Sequence, residues 1–526
     1  MRKKSFWKQA LRILALVTVA LVLVGTQAGA YQAEFGPTEL IKYDPTKTYD
    51  GYTLWYTGGI ASLIDMQGNL INKWSNRGDP WLLRNGNLMS GLSEYDWDGN
   101  VVRALTAPSR PNKTSTKSTL KIFNKKINDW TVLFLANHKI TTAEALANGM
   151  NQVVPPGAET SNTGNYSVDS ITEIDMKGNI IWEWSLWDHI IQNYDATKLN
   201  YGDPTAKENW GRLNLNLVTN GRMGFAPDWT HVNAMDYNYT LDQIAIDSRE
   251  LSEIYVINHS LTTAEAATRK GDFVWRWGNP ANYGQGNAPT FHTCGHEQLF
   301  GPHDIQWIGP AGARSREQFG EKAILPGAGN LLIFENGSNR PAEPAVSQVF
   351  EINPYSGPME NGVYVWEKDA GYTPSQHNMQ MPPNQSFDSK QIVWHYDPRH
   401  AYFNNAHGMY SAHISSAQRL PNGNTLIDAG ELGNFAEVTP DGTVVWNYIS
   451  PVLLTGEVVK QIGPKDCPNV FRVYRYGPDH PAFIGKLMLP RGPITAPITY
   501  TGFGFGGGGV EGGGGVGGPG GVGGGY

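Results

Sequence analysis

The chain repeats one short pattern six times, and this repetition constrains the fold more than any other feature of the sequence. Each copy has an apolar strand, a turn built on Asp-x-x-Gly or Gly-Asn, and a second strand that usually ends in tryptophan. The copies are LIDMQGNLINKW (63–74), EYDWDGNVVRAL (94–105), EIDMKGNIIWEW (173–184), RKGDFVWRW (269–277), EINPYSGPMENGVYVW (351–366) and EVTPDGTVVWNY (437–448). Because these turn residues permit the backbone angles of tight turns, each copy is predicted to be a β-hairpin.

A second pattern precedes several of these hairpins. It comprises LLRNGNLMSG (82–91), LPGAGNLLIFENG (325–337) and LPNGNTLIDAG (420–430), each predicted to be an inner hairpin of the same sheet. Repeats of four short strands, spaced by tens of residues and rich in glycine and tryptophan, are typical of β-propellers. The sequence therefore predicts an all-β protein, a six-bladed β-propeller with short helical insertions at 141–152 and 261–271.

The two ends of the chain differ from the repeats in composition. The basic start MRKKSFWK, the apolar run 11–24 and the small residues 28–30 predict a secretory signal peptide at 1–30. The propeller is expected at 31–500, and the glycine-rich stretch 501–526 is expected to be a disordered tail or a tether to the cell surface. We therefore expect an exported protein, periplasmic or extracellular, with no membrane span in the mature chain.

Net charge and cysteine content limit the partners. The sequence carries a net charge of −7, and removal of the basic leader makes the mature chain more acidic, which argues against nucleic acid or an anionic membrane. Cys294 and Cys467 leave two alternatives open, one long-range disulfide or two unpaired thiols. We expect no cofactor, and the oligomeric state stays open, with a homo-oligomer as one option.

Three histidines lie at the beginning of probable inner strands: His231 in DWTHVNAMDY, His303 in FGPHDIQW and His413 in YSAHISSAQ. Two arginines, Arg249 and Arg340, follow such strands. In a propeller, inner strands and the loops at one mouth of the ring bring distant residues together. Imidazoles with guanidinium groups suit an anionic tetrahedral substrate, although a single such histidine is more often a structural, hydrogen-bonded residue.

Several longer segments carry a resemblance. HVNAMDYNYTLDQIAIDSRELSEIYVI, GDFVWRWGNPANYGQG, EQLFGPHDIQW, LPGAGNLLIFENGSNRP and SSAQRLPNGNTLI through FRVYRYGPDHP occur in this order over roughly residues 50 to 480. Together they resemble the bacterial aryl-sulfate sulfotransferase family. The resemblance implies a six-bladed propeller that moves a sulfuryl group from an aryl sulfate to a phenol without a nucleotide sulfate donor. It also implies a transiently sulfated histidine, with other histidines and an arginine holding the sulfate.

The site residues carried over from this resemblance are His231, His303 and Arg340, as catalytic residues. Arg249, Asn336 and Arg475 are further candidates for substrate binding. The nucleophile of relatives is expected after NTLIDAG, where this chain has Glu431-Leu-Gly-Asn instead of a histidine. Either His413 or His303 then attacks sulfur, or the transfer activity has been lost.

Two further positions complete this expectation. Ser118 lies where relatives carry a histidine pair. Asp304, directly after His303, is expected to point away from the channel, against a blade neighbour, because side chains alternate along a regular strand.

Three alternatives remain beside this interpretation. His292, Cys294, His296 and His303 form a cluster whose residue types bind zinc or copper, although we favour a site without metal. A quinone-cofactor dehydrogenase would need eight blades rather than six. The non-enzymatic alternative is a propeller that serves as a binding or structural protein of the cell envelope.

Overall fold

The computed structural model describes residues 37–75, 77–110, 113–151, 165–219, 222–223, 228–290, 294–341, 346–354, 359–360, 363–364, 391–398, 409–463 and 466–495. The predicted signal peptide at 1–30 and the glycine-rich stretch 501–526 lie outside these residues. The described residues form one compact unit.

Six small antiparallel sheets form a ring, which confirms the predicted six-bladed β-propeller. Strands are numbered in chain order, and the first strand named in each blade is the innermost. Blade 1 contains β31 (Tyr474–Tyr476), β2 (Tyr52–Thr57), β3 (Ile60–Ile64) and β4 (Leu70–Ser75); blade 2 contains β5 (Trp81–Leu82), β6 (Leu88–Ser90), β7 (Ser93–Tyr95) and β8 (Val101–Ala104). Blade 3 contains β9 (Lys113–Asn124), β10 (Asp129–Thr141), β11 (Asn165–Asp175) and β12 (Ile180–Ser185).

The second half of the ring repeats this order. Blade 4 contains β17 (Val232–Asn238), β18 (Gln243–Ser248), β19 (Glu253–Asn258) and β20 (Trp275–Trp277); blade 5 contains β21 (His303–Trp307), β22 (Leu331–Glu335), β23 (Gln348–Ile352) and β26 (Ile392–Tyr396). Blade 6 contains β27 (Ser416–Arg419), β28 (Thr425–Ala429), β29 (Asn434–Val438) and β30 (Val444–Ile449), with β1 (Glu39–Tyr43) as an outer fifth strand. The ring therefore closes twice, through β1 on blade 6 and through β31 inside blade 1.

The remaining elements lie between or beside the blades. Three short strand pairs are β13 (Ile190–Ile191) with β14 (Leu213–Asn214), β15 (Val218–Thr219) with β16 (Arg222–Met223), and β24 (Met359–Glu360) with β25 (Val363–Tyr364). Among the described residues, the α-helices are α1 (Thr142–Ala147), α2 (Thr263–Ala266) and α3 (Ala313–Phe319). The 3-10 helices are Leu186–His189, Lys207–Asn209, Arg269–Gly271, Pro280–Tyr283, Gly430–Leu432 and Pro481–Phe483.

The repeated Asp-x-x-Gly-Asn turns form because one aspartate satisfies the turn backbone. In the turn between β11 and β12, Oδ1 of Asp175 accepts from the backbone N–H of Lys177 and of Asn179, each at 2.8 Å. Gly178 has φ +87°, a conformation that side chains disfavour. Such hairpins join the third and fourth strands of blades 1, 2 and 3 as predicted. A hairpin also joins β29 to β30 in blade 6, where Oγ1 of Thr439 replaces the aspartate and accepts from the N–H of Thr443 at 3.1 Å.

Two of the six predicted hairpins are wrong in detail. In the copy at 269–277, α2 and a 3-10 helix separate β19 from β20, so no tight turn joins these strands. In the copy at 351–366, β24 and β25 pair with each other, whereas β26 (Ile392–Tyr396) is the outer strand of blade 5. Both blades carry insertions before their fourth strand, and a local turn pattern contains no information about such an insertion.

Apolar side chains fill the space between neighbouring blades. The fully buried tryptophans are Trp55, Trp184, Trp229, Trp275, Trp307 and Trp446. Each such side chain stabilises the folded state by roughly 1.5–3 kcal/mol or more through burial. Three of them, Trp184, Trp275 and Trp446, belong to the repeated pattern, so the tryptophans of these copies are packing residues.

The helix α3, which the sequence did not predict, lies across the end of the ring at which the innermost strands finish. In the sequence, α3 lies between β21 and β22 of blade 5. It hydrogen-bonds to residues of all six blades. Its partners are Tyr474 of blade 1, Arg84 after β5 of blade 2, Ser118 of blade 3, Asp236 of blade 4, Asp304 of blade 5 and Gln418 of blade 6. We call α3 the plug helix.

Two further observations concern the chain as a whole. Among the described residues, we find no helix with the length and apolarity that a bilayer crossing requires. Cys294 and Cys467 are not joined by a disulfide. The structure therefore does not contain the long-range disulfide, which was one of the two alternatives for the cysteines.

Candidate active site

The candidate residues gather at the end of the ring opposite the plug helix. The innermost strands start at this end, and the loops between second and third strands return to it. Blades 4, 5 and 6 contribute His231, Arg249, His303, Asn336, Arg340, His413 and Glu431 through these strand starts and loops. We call this set the blade 4–6 mouth.

His303 lies at the centre of the mouth and is 3% exposed. Its Nδ1 lies 2.7 Å from Oδ1 of Asn336, an atom that only accepts, so we assign the proton to Nδ1. Its Nε2 accepts from the backbone N–H of Ile414 at 3.2 Å. Burial first, and then the charge of His231, holds the pKa of His303 well below its ordinary value. His303 is thus a neutral imidazole with both nitrogens engaged.

Asn336 links His303 to the next blade. Its Nδ2 donates to the backbone oxygens of Ser411 at 2.7 Å and Ile414 at 2.9 Å. The side chain is fully buried. Asn336 therefore uses both ends of its amide within the protein, one toward His303 and the other toward the loop that carries His413.

His413 differs from His303 in its exposure. Its side chain is 40% exposed, and Nδ1 lies 3.6 Å from Oε2 of Glu431. The same carboxylate oxygen accepts from the backbone N–H of Ala412 at 2.9 Å. Glu431 thus occupies the turn in which relatives were expected to carry a histidine, and it faces a histidine from the neighbouring loop.

Residues 411–415, SAHIS, which we call the His413 loop, are held from all sides. Oγ of Ser411 donates to the backbone oxygen of His413 at 2.8 Å and accepts from the N–H of Glu431 at 3.0 Å. The N–H of Ser411 donates to Ser347 at 2.9 Å. Ile414 and Ser415 have φ +53° and +93°, a strained backbone that surrounding contacts must maintain.

His231 and Arg249 form the blade 4 side of the mouth. Nδ1 of His231 lies 2.6 Å from Oδ2 of Asp228, and the His231 side chain is 22% exposed. The N–H of Arg249 donates to the backbone oxygen of His231 at 3.1 Å. Arg249 is ion-paired with Glu250, and its side chain is 24% exposed. Asn233 donates to the backbone oxygen of Pro302 at 3.0 Å, which joins this side to the His303 strand.

Arg340 is more enclosed than Arg249. Its side chain is 5% exposed and is ion-paired with Glu335. Its Nη2 also donates to Oε1 of Gln348 at 2.9 Å. Glu335 in turn accepts from the N–H of Phe300 at 2.9 Å. The guanidinium therefore already has a carboxylate partner at the mouth.

Arg475 does not join the mouth. It lies on β31, fully buried between blades 1 and 6, with Nη1 3.1 Å from Oε2 of Glu437. It also donates to Oγ1 of Thr53 at 2.8 Å and to the backbone oxygen of Tyr49 at 2.7 Å. These contacts link the first and last blades, so the position of Arg475 is that of an inter-blade residue.

Asp304 corrects another expectation. It has φ +64°, so the strand is irregular after His303 and the side chain points toward the ring axis. There Oδ1 accepts from Nη1 of Arg314 at 2.7 Å and from Nη1 of Arg472 at 2.6 Å. Both arginines also donate to Oγ of Ser118, at 3.2 and 2.9 Å. Ser118 therefore belongs to a buried ionic cluster below the mouth.

The cluster proposed for a metal ion is described only in part. His292 lies outside the described residues, Nδ1 of His296 accepts from the N–H of Asn287 at 2.7 Å, and His303 is held by Asn336. No group of three or more metal-binding side chains is found in the part of the chain that the structure describes.

Comparison with known protein families shows which family the chain belongs to. The sequence model of the Arylsulfotransferase (ASST) family matches residues 138–466. The chain belongs to the arylsulfotransferase family. The matched segment runs from β10 of blade 3 past the end of blade 6 and includes the whole blade 4–6 mouth. It supports sulfotransferase activity in general terms. Ser118, Arg472 and Arg475 lie outside it.

Solved structures add little beyond this family membership. A protein of unknown function from Bacteroides caccae is 9% identical with a TM-score of 0.39, and the alignment covers 81% of this chain and 98% of that chain. Rhamnogalacturonan lyase YesW is 11% identical with a TM-score of 0.26, over 74% of this chain and 50% of that chain. A Bacillus licheniformis rhamnogalacturonan lyase is 9% identical with a TM-score of 0.26, over 78% and 61%. These scores are too low to support a functional conclusion, and no curated protein matches the chain.

Sequence reasoning missed the residues that hold the blade 4–6 mouth together. Ser347, Ser411 and the backbone of Ile414 were not selected, although they fix the loop between two blades. The signal was present in the segment SAHIS, in which two serines flank His413. Its meaning depends on the contact between blades 5 and 6, which no local pattern reports.

Proposed function

We propose that this arylsulfotransferase moves a sulfuryl group from an aryl sulfate to a phenol, independently of a nucleotide donor, through a sulfated His413. The family match supports the general reaction. The observation that carries the choice of nucleophile is the difference between the two candidate histidines: His413 is 40% exposed beside Glu431, whereas His303 is buried with both nitrogens hydrogen-bonded.

His413 meets the requirements of an activated nucleophile. An imidazole attacks through a nitrogen lone pair, so one nitrogen must be unprotonated while the other carries the proton. A proton on Nδ1, directed toward Glu431 3.6 Å away, leaves the lone pair on Nε2 for attack. The carboxylate then stabilises the positive charge that develops on the ring.

The proposed reaction has two balanced steps. In the first, Nε2 of His413 forms a bond to sulfur while the sulfur–oxygen bond to the aryl group breaks, and the donor leaves as a phenolate. In the second, the oxygen of the acceptor phenol forms a bond to sulfur as the nitrogen–sulfur bond breaks. The acceptor proton passes to solvent or to Glu431, and the donor phenolate takes up a proton from solvent.

The sulfate oxygens require positive or hydrogen-donating partners. We assign this role to His231 and Arg249, whose side chains are 22% and 24% exposed at the mouth. Arg340 contributes positive charge from a more enclosed position, reduced by its pairing with Glu335. His303 is a buried neutral ring and adds no charge to this site. Donor and acceptor are small aryl compounds, and we further propose that the protein acts outside the cytoplasm, as expected from residues 1–30.

The experiment incubates purified protein with p-nitrophenyl sulfate, with and without phenol. Release of p-nitrophenolate that depends on phenol, together with phenyl sulfate formation, is the expected result, and His413→Ala should abolish both. The reaction is stopped without acid, and mass spectrometry of the protein should then find the sulfuryl group on the peptide that carries His413. A well-folded protein without turnover under these conditions would favour the non-catalytic binding propeller.

A further inference from the structure

The contacts of His303 raise the question of what a buried, fully hydrogen-bonded imidazole does at the centre of the mouth. Its Nε2 accepts the N–H of Ile414, the residue directly after His413. Its Nδ1–H donates to Asn336, whose own amide holds the backbone oxygens of Ser411 and Ile414. Nδ1 also lies 3.2 Å from the backbone oxygen of Gly301. The other side-chain hydrogen bonds of this pair all lead to the His413 loop.

We propose that His303 and Asn336 are positioning residues, which act on the reaction only by holding the His413 loop in the conformation that presents His413 to substrate. This inference rests on the proposed role of His413. It differs from the role that the sequence suggested for His303, in which its ring attacks sulfur or protonates the leaving oxygen.

The geometry explains why this loop needs such a clamp. Ile414 and Ser415 have positive φ angles, which cost folding free energy and persist only under strong constraint. A free Ile414 N–H inside the protein would be an unsatisfied donor, and His303 satisfies it. Because the two carbonyls on either side of His413 both bind Asn336, the His413 backbone is fixed at both ends while its side chain stays exposed.

A neutral histidine suits this task better than a charged one. Nε2 can accept from Ile414 only while it carries no proton. Burial lowers the pKa of His303 well below its ordinary value, so the acceptor persists across the neutral range. Protonation would place two donors face to face and release the loop.

Variants at position 303 separate positioning from direct chemistry. Glutamine places its amide oxygen near the position of Nε2 and still accepts from Ile414, but it has no imidazole. Asparagine reproduces only the donor toward Asn336. Positioning therefore predicts that His303→Gln keeps kcat within about 10-fold of the wild type, whereas His303→Asn and His303→Ala lower kcat about 100-fold, with KM nearly unchanged. The pH profile of kcat should be the same in wild type and His303→Gln.

Hydrogen exchange gives a second readout that does not depend on turnover. The Ile414 amide should be protected in wild type and His303→Gln, and should exchange at least 10-fold faster in His303→Asn. The matched control is His480→Ala. His480 is also buried, burial lowers the pKa of His480 to about 4, and its Nε2 binds the backbone oxygen of Glu317 at the plug helix. That variant should leave exchange of the His413 loop unchanged.

The outcomes distinguish the two proposals. Sulfation found on His303 in the wild type, or an inactive His303→Gln whose loop stays protected, overturns the positioning role while sulfuryl transfer itself stands. If the wild type shows no transfer, the proposed function fails, and exchange at Ile414 still decides whether His303 holds the loop. Equal exchange in His303→Asn and wild type would refute the clamp in either case. If His303→Ala does not fold, the comparison of His303→Gln with His303→Asn provides the test.

Discussion

Nη1 of Arg472 lies 2.6 Å from Oδ1 of Asp304, and this contact ties the segment just before β31 to blade 5 across the ring axis. Both side chains are almost fully buried. The same oxygen accepts from Arg314 of the plug helix. Asp304 thus pairs with guanidinium groups from two elements that are distant in sequence, directly below the blade 4–6 mouth, and Arg472 has a second carboxylate, that of Asp79, at 3.5 Å.

Replacement of Asp304 should destabilise the protein strongly. In Asp304→Asn, two buried guanidinium groups lose their shared counter-charge, which we expect to lower the free energy of unfolding by about 3–5 kcal/mol. Urea denaturation followed by tryptophan fluorescence measures the change. Glu321→Gln is the matched control, because Glu321 pairs with Arg316 at the surface and should matter little. Similar losses in the two variants would contradict a structural role for the buried cluster.

Glu431 should affect the rate of transfer more than stability. Glu431→Gln keeps an oxygen for the N–H of Ala412 but removes the charge beside His413. We expect kcat for phenol-dependent release of p-nitrophenolate to fall about 10- to 100-fold, since the ring charge that develops on His413 loses its partner. The thermal unfolding temperature should change little. A variant as active as the wild type would exclude Glu431 from the mechanism.

Arg475 and Arg249 should give opposite results. Arg475→Met breaks the buried pair with Glu437, so we expect a loss of about 3–5 kcal/mol in unfolding free energy without a change in KM. Arg249→Met, at the partly exposed mouth, should raise KM for the aryl sulfate about 10-fold at nearly wild-type stability. Paired stability and kinetic measurements test both. A raised KM in folded Arg475→Met would return Arg475 to the substrate site that the sequence predicted.

The buried His259 and its carboxylate partners should make stability depend on pH. Nδ1 of His259 lies 2.6 Å from Asp242 and Nε2 lies 2.9 Å from Glu173. Burial opposes the charged ring, but the hydrogen bonds to the two carboxylates raise the pKa of His259. Burial also opposes ionisation of Asp242, but the hydrogen bond and charge of His259 lower the pKa of Asp242 to about 2.

The sign of each shift sets the pH window. Stabilisation from His259 is fully present below its ordinary pKa of roughly 6.5 and is lost as the pH rises through the raised value. Stabilisation from Asp242 is present above roughly pH 4 and is lost as the pH falls toward 2. His259→Gln should therefore be less stable than wild type by about 3 kcal/mol near pH 5, with a smaller difference at pH 9. A constant difference between pH 5 and 9 would mean that folding does not raise the pKa of His259.

The ring itself could be predicted because each blade carries its own local signal. The turn of Asp175 needs only residues 175–179, so its pattern fixes a hairpin wherever it occurs. The outer strand of blade 5 was assigned wrongly because the short pair β24 and β25 satisfies the same local pattern, while the true partner of β23 begins at Ile392. The plug helix was missed because its seven residues show no apolar periodicity and its N-cap, Gly312, makes no side-chain cap bond.

The residue types of the site could be predicted from the sequence, but the contacts between residues of different blades could not. Histidines at strand starts and arginines after strands were identified from position alone. The occupied nitrogens of His303 depend on Ile414 and Asn336, which belong to different blades, and no spacing in the sequence reports that contact. The same limit applies to Arg475, whose partner Glu437 lies across the junction between the first and last blades.

The plug helix has a consequence for assembly. Because its partners are distributed over all six blades, an incomplete ring leaves buried donors and acceptors of this one segment without partners. The helix can dock fully only when the chain has brought the last strand, with Tyr474, back to the first blade. Docking of seven residues is thereby coupled to completion of the circle, which favours unfolding of the six sheets as one cooperative unit rather than blade by blade.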